Sequence, residues 1–433
     1  MKRMKKLVVL MGIIATLIIA GCSSNSSGGD GKGKDGKVTL TAWAWNVNVG
    51  ALNEAIKTYE KENPDVKLKV EDIGRLDVYD KLSTGLAAGG VGLPDIVLVE
   101  DDRIHGYMEA FPDGFVNLSE KGFKDHEDKF PSFKNDLAQV DGDYYAMPFD
   151  AGPSGMFYRR SIFEEAGVKA EDIETWDDFL EAGKTIKDKT GVAAMPLDMF
   201  KDDPTFRMML NQQGAFYFDE KGNIDLTNPK AVKAMEIQKK FADADLIKNV
   251  DGWNGTVSAT ADGSVATIPF GAWYYGTIVD QAKDTSGDWG VFPLPAIEEG
   301  GNRAANLGGG GWMIPASSKN ADAAYKFMEF FSTDTDTQIM AMEDYGLFPS
   351  LNTAYDSEVF TEGVEFFGGQ EIWSLFADEM KDIPTAYYTK DYSLALDEAI
   401  KAQADMFNGA KADKALEDAA KRLKDRTKRD INN

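Results

Sequence analysis

Residues 37–99 switch repeatedly between two hydrophobic periods, and this restricts the possible fold more than any other feature of the chain. KVTLTAWAW (37–45) places Val38, Leu40, Ala42 and Ala44 on one face, the two-residue period of a strand. ALNEAIKTYEKE (51–62) sets Leu52, Ile56 and Tyr59 at helical spacing, and Asn63-Pro64 stops that helix. VKLKV (66–70) is again a strand. DVYDKLSTGLAAGG (77–90) predicts a helix through Val78, Leu82 and Leu86, closed by Gly89-Gly90. PDIVLV (94–99) is an unbroken apolar run, as in a strand covered on both faces. The order β-α-β-α-β with crossovers of this length implies an α/β fold with a parallel sheet. Further helices are predicted at 175–191, 228–247, 316–332, 391–407 and 411–428, and a strand at GWMIP (311–315).

The beginning of the chain has a different character. MKRMKK is followed by an apolar run from Leu7 to Ala20 and by the only cysteine, Cys22. A basic segment before about 14 apolar residues has the form of a secretory signal, and the run is short of the roughly 20 residues a membrane span needs. Ile19-Ala20-Gly21-Cys22 resembles the lipobox of bacterial lipoproteins, in which Cys22 becomes the acylated first residue of the mature protein. The competing reading is an uncleaved anchor helix with an incidental cysteine. Residues 1–21 are therefore expected to be a signal peptide, and 22–36, rich in Ser, Gly, Lys and Asp, a flexible lipidated tether. Membrane contact is expected through the lipid alone, on the extracytoplasmic face of the cell membrane.

With no second cysteine for a disulfide, stability must come from a hydrophobic core, and about 400 residues suit two domains better than one. Without the four basic residues of the leader, 43 Lys and Arg face 72 Asp and Glu, a net charge near −29. Such a surface repels phosphate backbones, which argues against a nucleic-acid partner.

Motifs of catalysis are missing. His105 and His126 are the only histidines, and their spacing matches no zinc motif. GKT (183–185) lacks the glycine a phosphate loop needs, since Asp178 stands there. The glycines at 308–311 fail the dinucleotide pattern because Met313 takes the third position. No GxSxG elbow occurs. No cofactor or metal is called for. A carboxylate pair drawn from Glu100, Asp101, Asp102 and Asp150 leaves a surface glycoside hydrolase or lyase open as an alternative.

Features of binding are present. Aromatic residues make up 11% of the chain, and many fall where loops are expected: Trp45 after the first strand, Trp273 in FGAWYYG, Trp312 in GGGGW, Tyr345 in DYGLFPS. Glu100 and Asp101 follow PDIVLV, and Asp150 follows YYAMPF. Ligands of open α/β sheets bind beyond the carboxyl ends of strands. Aromatic faces beside carboxylates suit a pyranose, whose C–H face packs on a ring while its hydroxyls donate to acids. Each aromatic could instead belong to the core, and Asp101 and Asp150 could instead be helix caps or surface charges.

Together, LTAWAW, PDIVLVEDDR, DGDYYAMPFDAGPSGMFYRRSIFEEAGV (141–168), ETWDDF, GSVATIPFGAW, WGVFPLP, GGGGWMIPASSKNADAAYKFMEFFS and YGLFPS resemble, in order and spacing, the family 1 carbohydrate-binding lipoproteins of bacterial ABC importers, akin to the maltose-binding protein. The resemblance implies a type II periplasmic-binding fold, two α/β lobes with a ligand cleft between them. It implies chain crossings near Phe149, Pro295 and Tyr345, with 37–149 and 296–345 in one lobe and 150–295 and 346–433 in the other. It also implies ligand contacts at Trp45, Asn46, Glu100, Asp101, Arg103, Asp150, Trp273 and Tyr392, with Trp312, Tyr345 and Asp77 as further candidates. The implied partners are a di- or oligosaccharide and the permease of an importer driven by a separate ATPase, and the chain itself is expected to be monomeric. Aromatics beside acids also suit a cationic ligand such as a polyamine, which stays open as a second binding class.

Overall fold

The structure, a computed structural model, describes residues 37–432, so Cys22 and the tether lie outside it. The chain begins β1 (Val38–Ala44), α1 (Val47–Glu62), β2 (Val66–Asp72), α2 (Arg75–Ala87), β3 (Ile96–Glu100) and α3 (Asp101–Ala110). β1 lies between β2 and β3 and runs parallel to both, with Ala42 opposite Val70 and Ile96. In β3 the residues Ile96 to Val99 are almost wholly buried, which is why this strand is apolar without alternation. α4 (Ser132–Ala138) and a short hairpin, β4 (Gln139–Val140) with β5 (Asp143–Tyr144), lead into β6 (Met147–Arg159).

β6 is the spine of the molecule. After it come α5 (Arg160–Ala166), α6 (Trp176–Thr190), β7 (Met195–Leu197), α7 (Pro204–Gln212), α8 (Pro229–Asp243), β8 (Ile247–Asn249), α9 (Gly252–Asp262), β9 (Thr267–Gly271), α10 (Tyr274–Gln281) and β10 (Trp289–Pro293). The second half of β6 pairs with β9 and β10. β11 (Asn306–Met313), α11 (Ala321–Thr333), α12 (Thr335–Tyr345) and β12 (Phe348–Pro349) then return to its first half, and α13 (Ile372–Glu379), α14 (Tyr392–Phe407) and α15 (Ala412–Thr427) complete the chain. β11 is antiparallel to both β3 and β6, so the eight-stranded sheet is mixed and not purely parallel. α6 starts at a capping box between Thr175 and Asp178.

β1–β3 pack with α1–α3, α11 and α12, and α7, α8, α14 and α15 gather around a second hydrophobic core, the packing of a two-lobe fold. β6 and β11 run between them. At the passage the register of β11 shifts between Asn306 and Gly309, and Gly308 and Gly309 have φ of 97° and 86°. Only glycine adopts such angles at low cost. Gly152 opposite is equally constrained, since a Cβ there would fall 2.3 Å from the Leu307 carbonyl oxygen. The glycine run that fails as a nucleotide motif is thus a bulged strand crossing.

Candidate functional site

The carboxyl ends of β1 and β3 carry the first wall. Trp45, which follows β1, is almost buried and meets the Tyr79 ring edge-on at 6.0 Å. The Tyr79 hydroxyl donates to Glu100 at 2.7 Å, and Arg75 donates to the same carboxylate at 2.8 and 3.2 Å. Burial, with Glu100 beside it, pushes the Tyr79 hydroxyl far above its ordinary pKa, so it stays a donor. Glu100 is the last residue of β3, and α3 starts on the next one. Two acids in the first turn of α3 suit the positive end of the helix dipole.

Those two acids point different ways, because successive helical residues are about 100° apart. Asp101 turns inward and pairs with Lys134 of α4 at 2.5 Å, both groups almost completely buried. Lys134 also donates to the Gly310 carbonyl at 3.0 Å. Gly310 lies opposite Glu100 on one side and Asp150 on the other, so β11 brings Asp150 beside the Asp101–Lys134 pair, while Glu100 is held by Arg75 and Tyr79. Burial, with Asp101 and Glu100 adding repulsion against the pull of Lys134, pushes Asp150 up to about 7.

Asp102 turns outward, toward the second lobe. Burial first, then Glu100, raises it to about 6, while Arg103, Arg207 and Arg75 oppose the shift. Arg103 donates to the Ser393 hydroxyl across the lobes at 2.8 Å, and its guanidinium lies over Tyr79 at 5.0 Å and Tyr392 at 5.8 Å. Asp102 Oδ1 and Arg103 Nε, 3.5 Å apart, are buried with no hydrogen-bond partner. They border a cavity of about 280 Å³ whose walls include Tyr79, Ser83 and Tyr107 of one lobe and Lys390 and Tyr392 of the other.

On the second lobe Tyr392 is buried at the start of α14, stacked on Phe216 and Tyr217, and its hydroxyl accepts from Arg207 at 3.4 Å. Arg207 is held by Asp203 at 3.0 Å and Asp202 at 3.3 Å. Trp273 is half-buried; its Nε1 donates to the Leu307 carbonyl at 2.7 Å, which ties the ring to the strand crossing.

Among the residues expected from the sequence, Trp45, Glu100, Arg103 and Tyr392 converge around Tyr79 and the cavity, and Trp273 stands at the crossing. Asn46 is exposed with φ of 50° at the start of α1, and Asp77 is exposed in the first turn of α2. Tyr345 packs against α1 at Gly50, where a Cβ would fall 2.3 Å from its ring. Two residues lie away from the cleft. Asp101 points into the first lobe, and Trp312 is completely buried between Phe149 and Phe331, at 4.7 and 6.0 Å, because its side of β11 faces the core. The sequence drew no ligand role for Asp102, Tyr79, Arg207 or Trp253. The phase of α3 would have separated Asp102 from Asp101; Arg207, inside an amphipathic helix, offers no comparable signal.

Residues 54–368 match the family model described as bacterial extracellular solute-binding protein. The lactose-binding protein of Rhizobium radiobacter is 36% identical over 410 residues, 92% of this chain and 94% of that protein. The arabinooligosaccharide-binding protein of Bacillus subtilis is 30% identical over 410 residues, 92% and 93% of the two. A solved ABC-transporter-associated binding protein from B. animalis subsp. lactis, in complex with β-1,6-galactobiose, superposes with a TM-score of 0.74 at 25% identity, covering 90% of this chain and 97% of that one.

Proposed function

Because this chain belongs to the bacterial extracellular solute-binding protein family, we propose that it is the sugar-capturing component of an ABC importer, taking a di- or oligosaccharide and delivering it to a separate permease. The observation that carries this reading is the cavity shared by the two lobes, where Asp102 Oδ1 and Arg103 Nε, an ion pair 3.5 Å apart, make no hydrogen bond between the rings of Tyr79 and Tyr392. A carboxylate oxygen and a guanidinium N–H, each free of a hydrogen bond, suit hydroxyl groups, which donate and accept, and the flanking rings suit the C–H faces of a sugar. The relatives named for lactose and arabinooligosaccharides support the same ligand class. A polyamine is disfavoured, since Arg103 and Lys390 line the cavity and Arg207 faces Asp102 from across it. The relatives are binding proteins, which supports binding without turnover.

Capture follows from population shift. A ligand touching both lobes has extra affinity for the closed arrangement and draws the equilibrium there. The lobes are taken to meet at 149–154, at 295–307 and near 345–349. Cys22 is taken to carry the lipid, so Cys22→Ala should abolish labelling by fatty acid while leaving the binding domain folded.

Calorimetric titration of the whole protein with lactose, arabinobiose, arabinotriose and spermidine tests the ligand class, with products checked by mass spectrometry. Saturable binding of a sugar without turnover is expected. Binding of spermidine alone, or hydrolysis, would replace this reading.

A further inference from the structure

Asp203 stands at the amino end of α7 but does not cap it, since its side chain accepts no bond from the first helical N–H groups. Its carboxylate is completely buried and is shared between two other residues. One oxygen accepts from Arg207 Nε, one turn along α7, at 3.0 Å, and the other accepts from the Tyr217 hydroxyl. Burial, with Asp203 beside it, holds the Tyr217 hydroxyl far above its ordinary pKa, so it remains a donor.

Both partners lead to Tyr392. Arg207 Nη1 donates to the Tyr392 hydroxyl at 3.4 Å, and the Tyr217 ring stacks on the Tyr392 ring at 5.9 Å and 20°. Phe206 of α7 stacks on Tyr217 in turn, at 6.4 Å and 27°. α14, which carries Tyr392, is fixed to the same loop by Gln403, whose buried amide donates to the carbonyls of Asp198 and Asp202 at 2.9 and 3.0 Å. A single carboxylate therefore holds the hydroxyl of Tyr392 through a cation and its ring through a second ring.

Such an arrangement is a poor way to gain stability. The desolvation of a buried carboxylate and guanidinium can exceed their attraction, and apolar residues of similar volume would fill the same space. What the charges add lies at the cavity. Tyr392 lines it with the Arg103 guanidinium over its ring at 5.8 Å, and the Arg207 charge opposes the rise that burial gives Asp102. Asp102 and Arg103 belong to the first lobe, so the Asp203 cluster presents a fixed ring and a fixed cation to them from the second.

We propose that Asp203 is a positioning residue for ligand capture: it meets no ligand itself, and through Arg207 and Tyr217 it sets the second-lobe wall of the cavity against Asp102 before the ligand arrives. A wall fixed in advance spares the ligand the entropy of ordering it. The inference rests on the carbohydrate reading of the cavity and adds the residue that makes that wall rigid.

The test is a cycle of variants across the two lobes, titrated calorimetrically with lactose and with arabinotriose at pH 8. There both Asp203 and Asp102, each raised by burial to about 6, are ionised. Asp203→Asn keeps the shape and removes the charge that orients Arg207, and should weaken sugar binding by about tenfold. In protein that already carries Asp102→Asn, the same change should cost about twofold at most, because the group that Arg207 is held against is then neutral. Tyr217→Phe keeps the stacked ring and the ion pair and loses the hydroxyl alone. It should weaken binding by about threefold with ligand-free melting close to wild type, and it takes the place of Asp203→Asn in the cycle if that variant does not fold. A residue that only supports the second lobe would shift ligand-free melting and lose the same factor of affinity with or without Asp102→Asn. That additive result, or unchanged affinity in both Asp203→Asn and Tyr217→Phe, would overturn the positioning role and leave the carbohydrate reading intact. If the wild type binds neither sugar, the carbohydrate reading falls, and the role of Asp203 with it.

Discussion

Arg429 donates to both carboxylate oxygens of Glu109, at 2.7 and 2.8 Å, and so joins the tail of the second lobe to the far end of α3 in the first across 320 positions of sequence. The same carboxylate accepts from the backbone N–H of Lys390 at 3.1 Å and pairs with its ammonium at 3.2 Å, while Arg429 is braced by Asp391 at 2.8 Å. Burial raises the Glu109 pKa, but the bonds from Lys390 and Arg429 outweigh it and leave the carboxyl below its ordinary range.

The pair bridges the lobes, so it should bias them toward closure. Partly exposed ion pairs contribute about 0.5–1 kcal/mol each and are screened by salt. Glu109→Gln should increase the radius of gyration of the ligand-free protein and weaken ligand binding by about two- to fivefold. Because the carboxyl is depressed in the folded state, its contribution is present above pH 4.5 and fades as the pH falls through its lower folded value. Solution scattering and titration at 0.05 and 1 M salt decide the matter: the two proteins should differ at low salt and converge at high salt.

Asp150 lies buried beside the Asp101–Lys134 pair, and burial first, with Asp101 and Glu100 adding repulsion against the pull of Lys134, raises it from 3.8 to about 7. An acid raised on folding contributes stability that is fully present below pH 3.8 and is lost as the pH rises toward 7. Asp150→Asn removes that loss. The variant should be about 2–4 kcal/mol more stable than the wild type at pH 8 and close to it at pH 4, measured by denaturant titration at both values. A constant difference between the two pH values would show that the carboxyl does not titrate there.

Lys134→Met leaves Asp101 buried without a partner. Breaking a buried pair by removing one member costs about 3–5 kcal/mol. Adding Asp101→Leu to Lys134→Met should recover much of that loss, because the one carboxylate that Lys134 bonds directly is then gone as well. A double variant as unstable as the single one would mean that Lys134 acts by packing alone.

Trp273 and Trp312 separate a binding role from a core role. Trp273→Ala should cost about 2–4 kcal/mol of ligand affinity with a smaller change in ligand-free melting. Trp312→Ala should remove about 3–5 kcal/mol of folding stability through the cavity it leaves between Phe149 and Phe331. Calorimetric titrations beside melting curves test both, and an exchange of the two outcomes would exchange the roles.

Local periodicity alone settled the sequence of elements from β1 to β3 and the positions of α6, α8, α14 and α15, since strand alternation and helical stripes are written in consecutive residues; shorter helices such as α9, α10 and α13 left no such stripe. It also settled that Trp45 and Glu100 stand at strand ends, where an α/β sheet presents its ligands. The insertion of β11 between β3 and β6 was decided only by tertiary structure, because pairing between residues more than 150 positions apart leaves no local mark. That insertion brings Asp150 beside the Asp101–Lys134 pair, and it turns Trp312 into the core. The choice between Asp101 and Asp102 was decided in the same way: the two are chemically identical in sequence, and only the rotational phase of α3, set by its packing against α4 and β11, sends one to Lys134 and the other to the cleft.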